Sequence, residues 1–189
     1  MKVLAFAASN SRRSINGQLV AHAADRLATR YGPDVEIEVL DLNDYEMPLY
    51  SVDREREHGV PDLAHDFLDR IGAADVVLAS FAEHNGTFTV AFKNVLDWAS
   101  REEQRIWQDT PLVLLATSPG PGGARSVLAT AEGSAPFWGG DLRGTLSVPR
   151  FRESFDVDTG ELVDPDLSEA LDAVLADLVD ATDEQPQAA

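Results

Sequence analysis

The 189-residue chain contains no cysteine. Disulfides, thiolate nucleophiles and thiolate metal sites are thereby excluded, and a reducing cytoplasm is the expected location. Lysine is almost as scarce, since Lys2 and Lys93 are the only lysines among 15 basic residues. Those 15 face 33 acidic residues, giving a formal net charge of −18. So acidic a chain repels nucleic-acid phosphates and anionic headgroups, and neither is an expected partner. The same lysine-poor acidity suits a salt-rich cytoplasm, which a comparison of stability in low and molar salt would test. Long apolar runs are missing too, for none approaches the roughly 20 residues of a membrane helix. The opening "MKVLAFAASN" is too short and too strand-like for a secretory signal. His58, Asp62, His65 and Asp66 share one stretch, but a helix face of mixed charge is a solvated face. No metal site is expected.

What is present is the pattern of one globular domain. A hydrophobic fraction of 44% over this length builds a sizeable core, and residues 1–182 are expected to form it, with 183–189 a polar tail. Five strand-like runs alternate with helical patterns: "VLAFAA" (3–8), "VEIEVLDL" (35–42), "DVVLAS" (75–80), "LVLLAT" (112–117) and "LRGTLSV" (142–148). The first, third and fourth are nearly unbroken apolar runs, as in strands covered on both faces. The second alternates, with Val35, Ile37 and Val39 set against Glu36 and Glu38, which marks an edge strand. Helical spacing predicts helices over 14–30, 61–73, 86–101 and 123–133, and over the run Leu167, Ala170, Leu171, Val174, Leu175, Leu178. Phe88, Phe92 and Trp98 fall at core spacing. The implied fold is α/β, a flavodoxin-like three-layer sandwich around a five-stranded parallel sheet in the order 2-1-3-4-5.

In such folds ligands bind beyond the carboxyl ends of the strands. There the first, third and fourth strands run into "SNSRRSIN", "FAEHNGT" and "TSPGPGGAR". The first loop offers the hydroxyls of Ser9, Ser11 and Ser14 and the amide of Asn16 ahead of a helix N-terminus, the chemistry of an anion cradle. It is neither GxxxxGK[ST] nor GxGxxG. A solvated turn in which Ser14 merely caps the helix explains the same residues. In the second loop, Gly86 permits positive φ and close approach to a flat ligand, while His84 is an acid–base group, a stacking surface or a bystander. The third loop frees backbone amides at Gly120, Gly122 and Gly123, or simply turns the chain tightly.

Taken together, "SNSRRSINGQLV", "FAEHNGTFTVAFKNVLDWASR" and "TSPGPGGARSVL" resemble, in order and spacing, the NADPH-dependent FMN reductase family. Its members include bacterial flavin, quinone, azo-dye and chromate reductases, and the resemblance spans roughly residues 1 to 180. The resemblance implies an FMN phosphate held by Ser9, Ser11, Ser14, Ile15 and Asn16, with Arg12 beside them. It implies an isoalloxazine bordered by Ala82, Glu83, His84, Asn85, Gly86 and Thr87. Ser118, Pro119, Gly120, Gly122 and Gly123 would close the other edge. Two motifs depart from the common pattern: Ser11 stands where many members carry arginine, and Ala82 and His84 stand in the loop where many read "PEYNG".

The resemblance also implies NAD(P)H as reductant, a small acceptor such as a quinone or free flavin, and a homodimer or homotetramer. No protein nucleophile is needed, because the flavin carries the chemistry. His84 is the sole side chain considered for proton transfer. The rivals are a flavodoxin-like electron carrier, whose acidity would suit a basic redox partner, and a non-catalytic FMN-binding module.

Overall fold

Strands that are apolar at nearly every position need cover on both faces, and the topology supplies it. The computed structural model describes residues 1–184, with side chains through residue 180. In chain order it contains β1 (Lys2–Ala8), α1 (Ile15–Tyr31), β2 (Glu36–Leu40), a 3-10 turn (Leu42–Tyr45), α2 (Val52–His58), α3 (Asp62–Gly72), β3 (Val76–Phe81), α4 (Val90–Glu102), β4 (Pro111–Thr117), α5 (Arg125–Ser134), β5 (Asp141–Val148), α6 (Phe151–Ser154), β6 (Phe155–Asp156), β7 (Glu161–Leu162) and α7 (Pro165–Glu184). The first five strands form one parallel sheet in the order β2-β1-β3-β4-β5. This is the flavodoxin-like arrangement.

Alternate residues of each strand feed opposite layers. Val3 and Ala5 of β1, Leu78 of β3 and Leu115 of β4 pack under α1 and α7 with Leu19, Leu27 and Leu175. Leu4, Phe6, Ala79 and Leu114 face α3, α4 and α5, where Phe67, Phe92, Trp98 and Val127 complete the second core. Phe88, Phe92 and Trp98 are core residues, as their spacing predicts. Each large side chain buried in this way contributes roughly 1.5–3 kcal/mol, so both layers are needed to hold the sheet.

Several expectations are corrected here. The strand expected over 35–42 ends at Leu40, because Asp41 turns to cap the 3-10 turn, its Oδ1 accepting from Asn43 N at 2.9 Å. Val39, expected inside, is 67% exposed: α1 lies over β1, β3 and β4 and leaves the end of β2 bare. Glu38, expected outside, is held between Lys2 (3.0 Å) and Arg70, and those two cations keep its carboxyl below the ordinary range. The helix expected from 86 begins at Val90, since residues 86–89 are spent on a turn and on the cap Thr89. Helix α7 continues through residues 183 and 184, which the sequence reading assigns to the tail; residues 185–189 lie outside the described residues.

Candidate functional site

The parallel sheet delivers the ends of β1, β3 and β4 to one edge, so the loops that follow them meet there. They enclose a cavity of about 310 Å³ lined by Ser9, Ser11, Arg13, Ser14, Ile15, Asn16, Ala82, Glu83, His84, Thr117, Ser118 and Pro119. Ten of the sequence-predicted site residues thus share one space. Arg12 lines the adjoining groove of about 370 Å³ between α1 and β2, which Ser9, Ser11, Arg13 and Ser14 line as well, and Arg13 also lines the three-loop cavity. Asn85, Gly86, Thr87, Gly120, Gly122 and Gly123 lie outside the cavity wall.

Each loop has a local reason for its shape. After β1, Ser9 turns the chain back, with its N–H on Ala7 O (2.8 Å) and its Oγ accepting from Ser11 N (3.2 Å). Ser14 is the N-cap of α1, and its Oγ accepts from Gly17 N at 3.2 Å. The capping role and a ligand role coexist. Among the described residues none of the hydroxyls of Ser9, Ser11 and Ser14 donates to a protein acceptor, so their protons remain available. The first turn of α1 contains no acidic residue, and its leading backbone N–H groups point outward as in any helix start.

Asn16 lines the cavity and is tied to the sheet as well. It is 2% exposed, and its side chain grips protein: Oδ1 accepts from Thr117 N (3.0 Å) and from Ser80 Oγ (2.8 Å), while Nδ2 donates to Thr117 O (3.2 Å). The amide therefore locks the start of α1 to β3 and β4. Thr89, which sequence reasoning missed, does similar work, capping Phe92 N (3.2 Å) while donating to Ala8 O (3.0 Å).

The loop after β3 forms a tight hairpin. His84 and Thr87 exchange both backbone bonds (3.0 and 3.2 Å) around Asn85 and Gly86, whose φ values are 53° and 80°. Positive φ at both central positions is the Asn-Gly hairpin geometry, and it fulfils the expectation of positive φ at Gly86. Glu83 lines the cavity, and its Oε2 accepts from Val127 N at 3.0 Å and so caps α5. That helix has no cap of its own, since Ala124 precedes it in left-handed conformation with φ 57°. His84 is exposed and stands between the three-loop cavity and a second one of about 300 Å³, lined by Asn10, Tyr45, Met47, Leu49, Val90 and Asn94 among others. The segment before α2 is tied to α4 there, with Asn94 Oδ1 accepting from Tyr50 N (2.9 Å) and Trp98 Nε1 donating to Pro48 O (2.7 Å).

In the loop after β4, Gly123 is structural. Its φ is 59°, its N–H donates to Gly120 O (3.4 Å), and a Cβ there would lie 2.3 Å from Ser147 Oγ. Close approach to the end of β5 explains that glycine, in place of the amide expected for a ligand. Gly120 and Gly122 have open space around them. Ser118 O and Gly120 O accept from Phe151 N (3.1 Å) and Arg150 N (2.9 Å), which pins this loop to the chain after β5.

Fold and site together define a flavodoxin-like nucleotide-binding class: a parallel sheet whose ligand edge carries an open helix N-terminus. The comparisons narrow it. The family model for NADPH-dependent FMN reductases matches residues 1–137. The chain belongs to that family. It is 30% identical over 185 residues to a probable NADPH:quinone oxidoreductase of rice, covering 94% of this chain and 90% of that protein. It is 32% identical over 126 residues to the NADPH:quinone oxidoreductase of Arabidopsis thaliana, a match spanning 67% of this chain and 62% of the relative. Among solved structures it resembles FerB, a flavoenzyme NAD(P)H:(acceptor) oxidoreductase of Paracoccus denitrificans, at 25% identity and TM-score 0.76 over 97% of both chains.

Proposed function

We propose that this protein is an FMN-dependent NAD(P)H oxidoreductase acting on a quinone, free flavin or similar small acceptor. The observation that carries the reading is the meeting of three loops at one sheet edge around the start of α1, whose first turn carries no acid, in a chain of this family. The donor set suits a flavin mononucleotide. Three free hydroxyls and the leading N–H groups of α1 match a terminal phosphate, and Arg13 adds a cation.

When bound, FMN supplies hydride transfer from NAD(P)H to the acceptor. The chain's own residues do the rest. Ser9, Ser11, Ser14 and the backbone of Ile15 and Asn16 hold the phosphate end. Ala82, His84 and the Asn85–Gly86 hairpin border the ring, and Ser118 and Pro119 flank it opposite. His84 would border the space in which acceptors stand, beside the cavity it lines.

Residues 1–182 act as one domain, a reading supported by cores that run on both sheet faces from Val3 to Leu178. Exposed Leu49, Val52 and Val90, two of them lining the second cavity, support a homodimer or homotetramer closing over that side. Among the described residues no helix is long and apolar enough to cross a membrane, and the cysteine-free composition supports a cytoplasmic location.

The test is flavin content and turnover of the purified protein. Stoichiometric FMN, with NADPH or NADH oxidation accelerated by an added quinone, is the expected result. Bound FMN reduced only by a separate reductase would replace the proposal with the electron-carrier reading. Failure to bind FMN would remove both.

A further inference from the structure

The second cavity, beside the three-loop site, has a charge character of its own. With a volume of about 300 Å³ it lies at the small end of ligand pockets. Leu42, Met47, Leu49, Val90 and Ala91 give it apolar walls. Several of the polar groups around it are already spent. Tyr45 Oη donates to Asp66 Oδ2 (2.5 Å), Asn43 Nδ2 donates to Asp41 Oδ1 (2.7 Å) and Thr89 Oγ1 donates to Ala8 O (3.0 Å). Asn94 is bonded at both ends, its Oδ1 accepting from Tyr50 N and its Nδ2 donating to Met47 O and Pro48 O. The side chains of Asn10, Glu46 and His84 also line the cavity; they are exposed, and among the described residues none has a protein partner. Among those residues no arginine or lysine lines it, whereas Arg13 lines the three-loop cavity and both Arg12 and Arg13 line the groove beyond. The cations on the neighbouring helices are engaged elsewhere: Arg54 donates to Leu49 O, Lys93 pairs with Asp97, and Arg101 lies over the Tyr50 ring at 5.5 Å.

An apolar slot with two free donor side chains and one unpaired carboxylate suits a flat, neutral molecule bearing carbonyl or hydroxyl groups. An anion placed there meets Glu46 with no cation to compensate it, and like-charge juxtaposition is a means by which a site rejects the wrong ligand. Position ties the cavity to the chemistry. His84 lines both this cavity and the three-loop one, and Asn10 follows directly on Ser9, so a molecule seated here stands beside the three-loop site. We propose that this cavity seats the electron acceptor, and that Glu46 makes it selective for uncharged acceptors against those carrying a sulfonate, a carboxylate or another anionic group. The proposal rests on the reductase reading and narrows its acceptor to one charge class.

The test has two arms, with 1,4-naphthoquinone and its 2-sulfonate as probes, both at about pH 8, where imidazoles in general are uncharged. In calorimetry the oxidised protein as purified, given no reductant, should bind the neutral quinone about tenfold more tightly than the sulfonate. Raising the salt should shrink that margin, since the Glu46 carboxylate is open to screening. In steady-state kinetics with NADPH, Glu46→Gln should raise kcat/KM for the sulfonate relative to the neutral quinone about tenfold, and Glu46→Lys should raise it further. The intrinsic reactivity of each acceptor cancels between variant and parent. Glu169→Gln removes an exposed carboxylate from α7, in the opposite layer, and should leave the ratio as in the parent. Equal binding of the two quinones, a ratio that Glu46→Gln does not move, or one that Glu169→Gln moves as far overturns the proposal. A protein that oxidises neither NADPH nor NADH sinks the reductase reading instead, and the calorimetric arm still decides the cavity.

Discussion

Helices α1 and α5 both begin at the ligand edge of the sheet, each after a loop rich in small residues, and each presents a partial positive charge there. Their starts are finished differently. At α5 the protein spends a carboxylate, with Glu83 reaching across from the loop after β3 to Val127 N. At α1 Ser14 supplies a neutral cap, no acid stands in the first turn, and the serine protons point to no protein acceptor. Of these two helix starts one is filled by the protein's own carboxylate, which leaves the α1 start for an external anion. Proximity to glycines or to a helix start is therefore a poor guide by itself; what decides is whether the protein has already supplied the charge.

Filling the α1 socket as the α5 socket is filled should have the largest effect. Ser11→Asp puts a carboxylate where the phosphate is expected, and a like-charge juxtaposition costs several kcal/mol, or roughly 100-fold or more in FMN affinity. Riboflavin, lacking the phosphate, should be affected far less. The apoprotein should unfold no more easily, because an acid near a helix start is favourable. A fluorescence titration that finds FMN and riboflavin weakened equally would overturn the assignment of this socket.

The next effect separates holding the ligand from holding the loop. Asn16→Ala leaves Thr117 N–H and Ser80 Oγ buried without partners, at about 2–4 kcal/mol of folding stability. Ser14→Ala removes an exposed-side cap worth about 1 kcal/mol, and should weaken FMN more than riboflavin. Urea denaturation and the two flavin titrations resolve the pair. If Asn16→Ala kept full stability and lost only FMN, its side chain would belong to the ligand after all.

That contrast marks the limit of what the residues reveal on their own. The sheet order, the edge strand and the convergence of three loops follow from apolar runs and loop composition, signals that are local in sequence. The Asn85–Gly86 hairpin is equally local. Asn16 and Glu83 look like ligand groups because both are polar, small-loop residues; their partners, Thr117 and Val127, lie far along the chain and give no sign of need. Arg12 and Arg13 are adjacent and alike, and only the three-dimensional turn carries Arg13 from the groove they share into the three-loop cavity as well. The wall made by α6 and the β6–β7 hairpin has two-residue strands too short to show a period. Glu83 offers a modest check. Glu83→Ala should cost about 1 kcal/mol by uncapping α5, and Glu83→Gln less, since an amide oxygen still accepts from Val127 N. A charge requirement at the flavin would instead make the Gln variant as poor as the Ala variant in FMN binding.

The smallest effect concerns the flank of α1 against that wall. His22 is buried there, its ring edge-on to Phe155 at 5.7 Å between centroids, and its Nε2 has no partner. Burial, with Arg26 adding to it, lowers its pKa from the ordinary 6.5; Glu161, Asp25 and the backbone of Gly160 oppose the shift without reversing it. The sign follows from linkage. A histidine whose folded pKa is depressed is neutral when folded and takes up its proton more readily when unfolded, so its contribution is complete above 6.5 and declines as pH falls from there toward the folded pKa. Asp172, Glu38 and Asp66 are held below their ordinary values by arginine and lysine partners, so their losses come at lower pH and do not overlap. Thermal unfolding should therefore show a shallow fall that sets in as pH drops through 6.5, followed by a steeper acid limb. His22→Leu should flatten the shallow part and leave the acid limb in place, while the FMN titration at α1's open end stays as in the parent. An unchanged slope in the variant would mean that the wall does not feel the charge on His22, and that α1 is sensitive to charge at its open end alone.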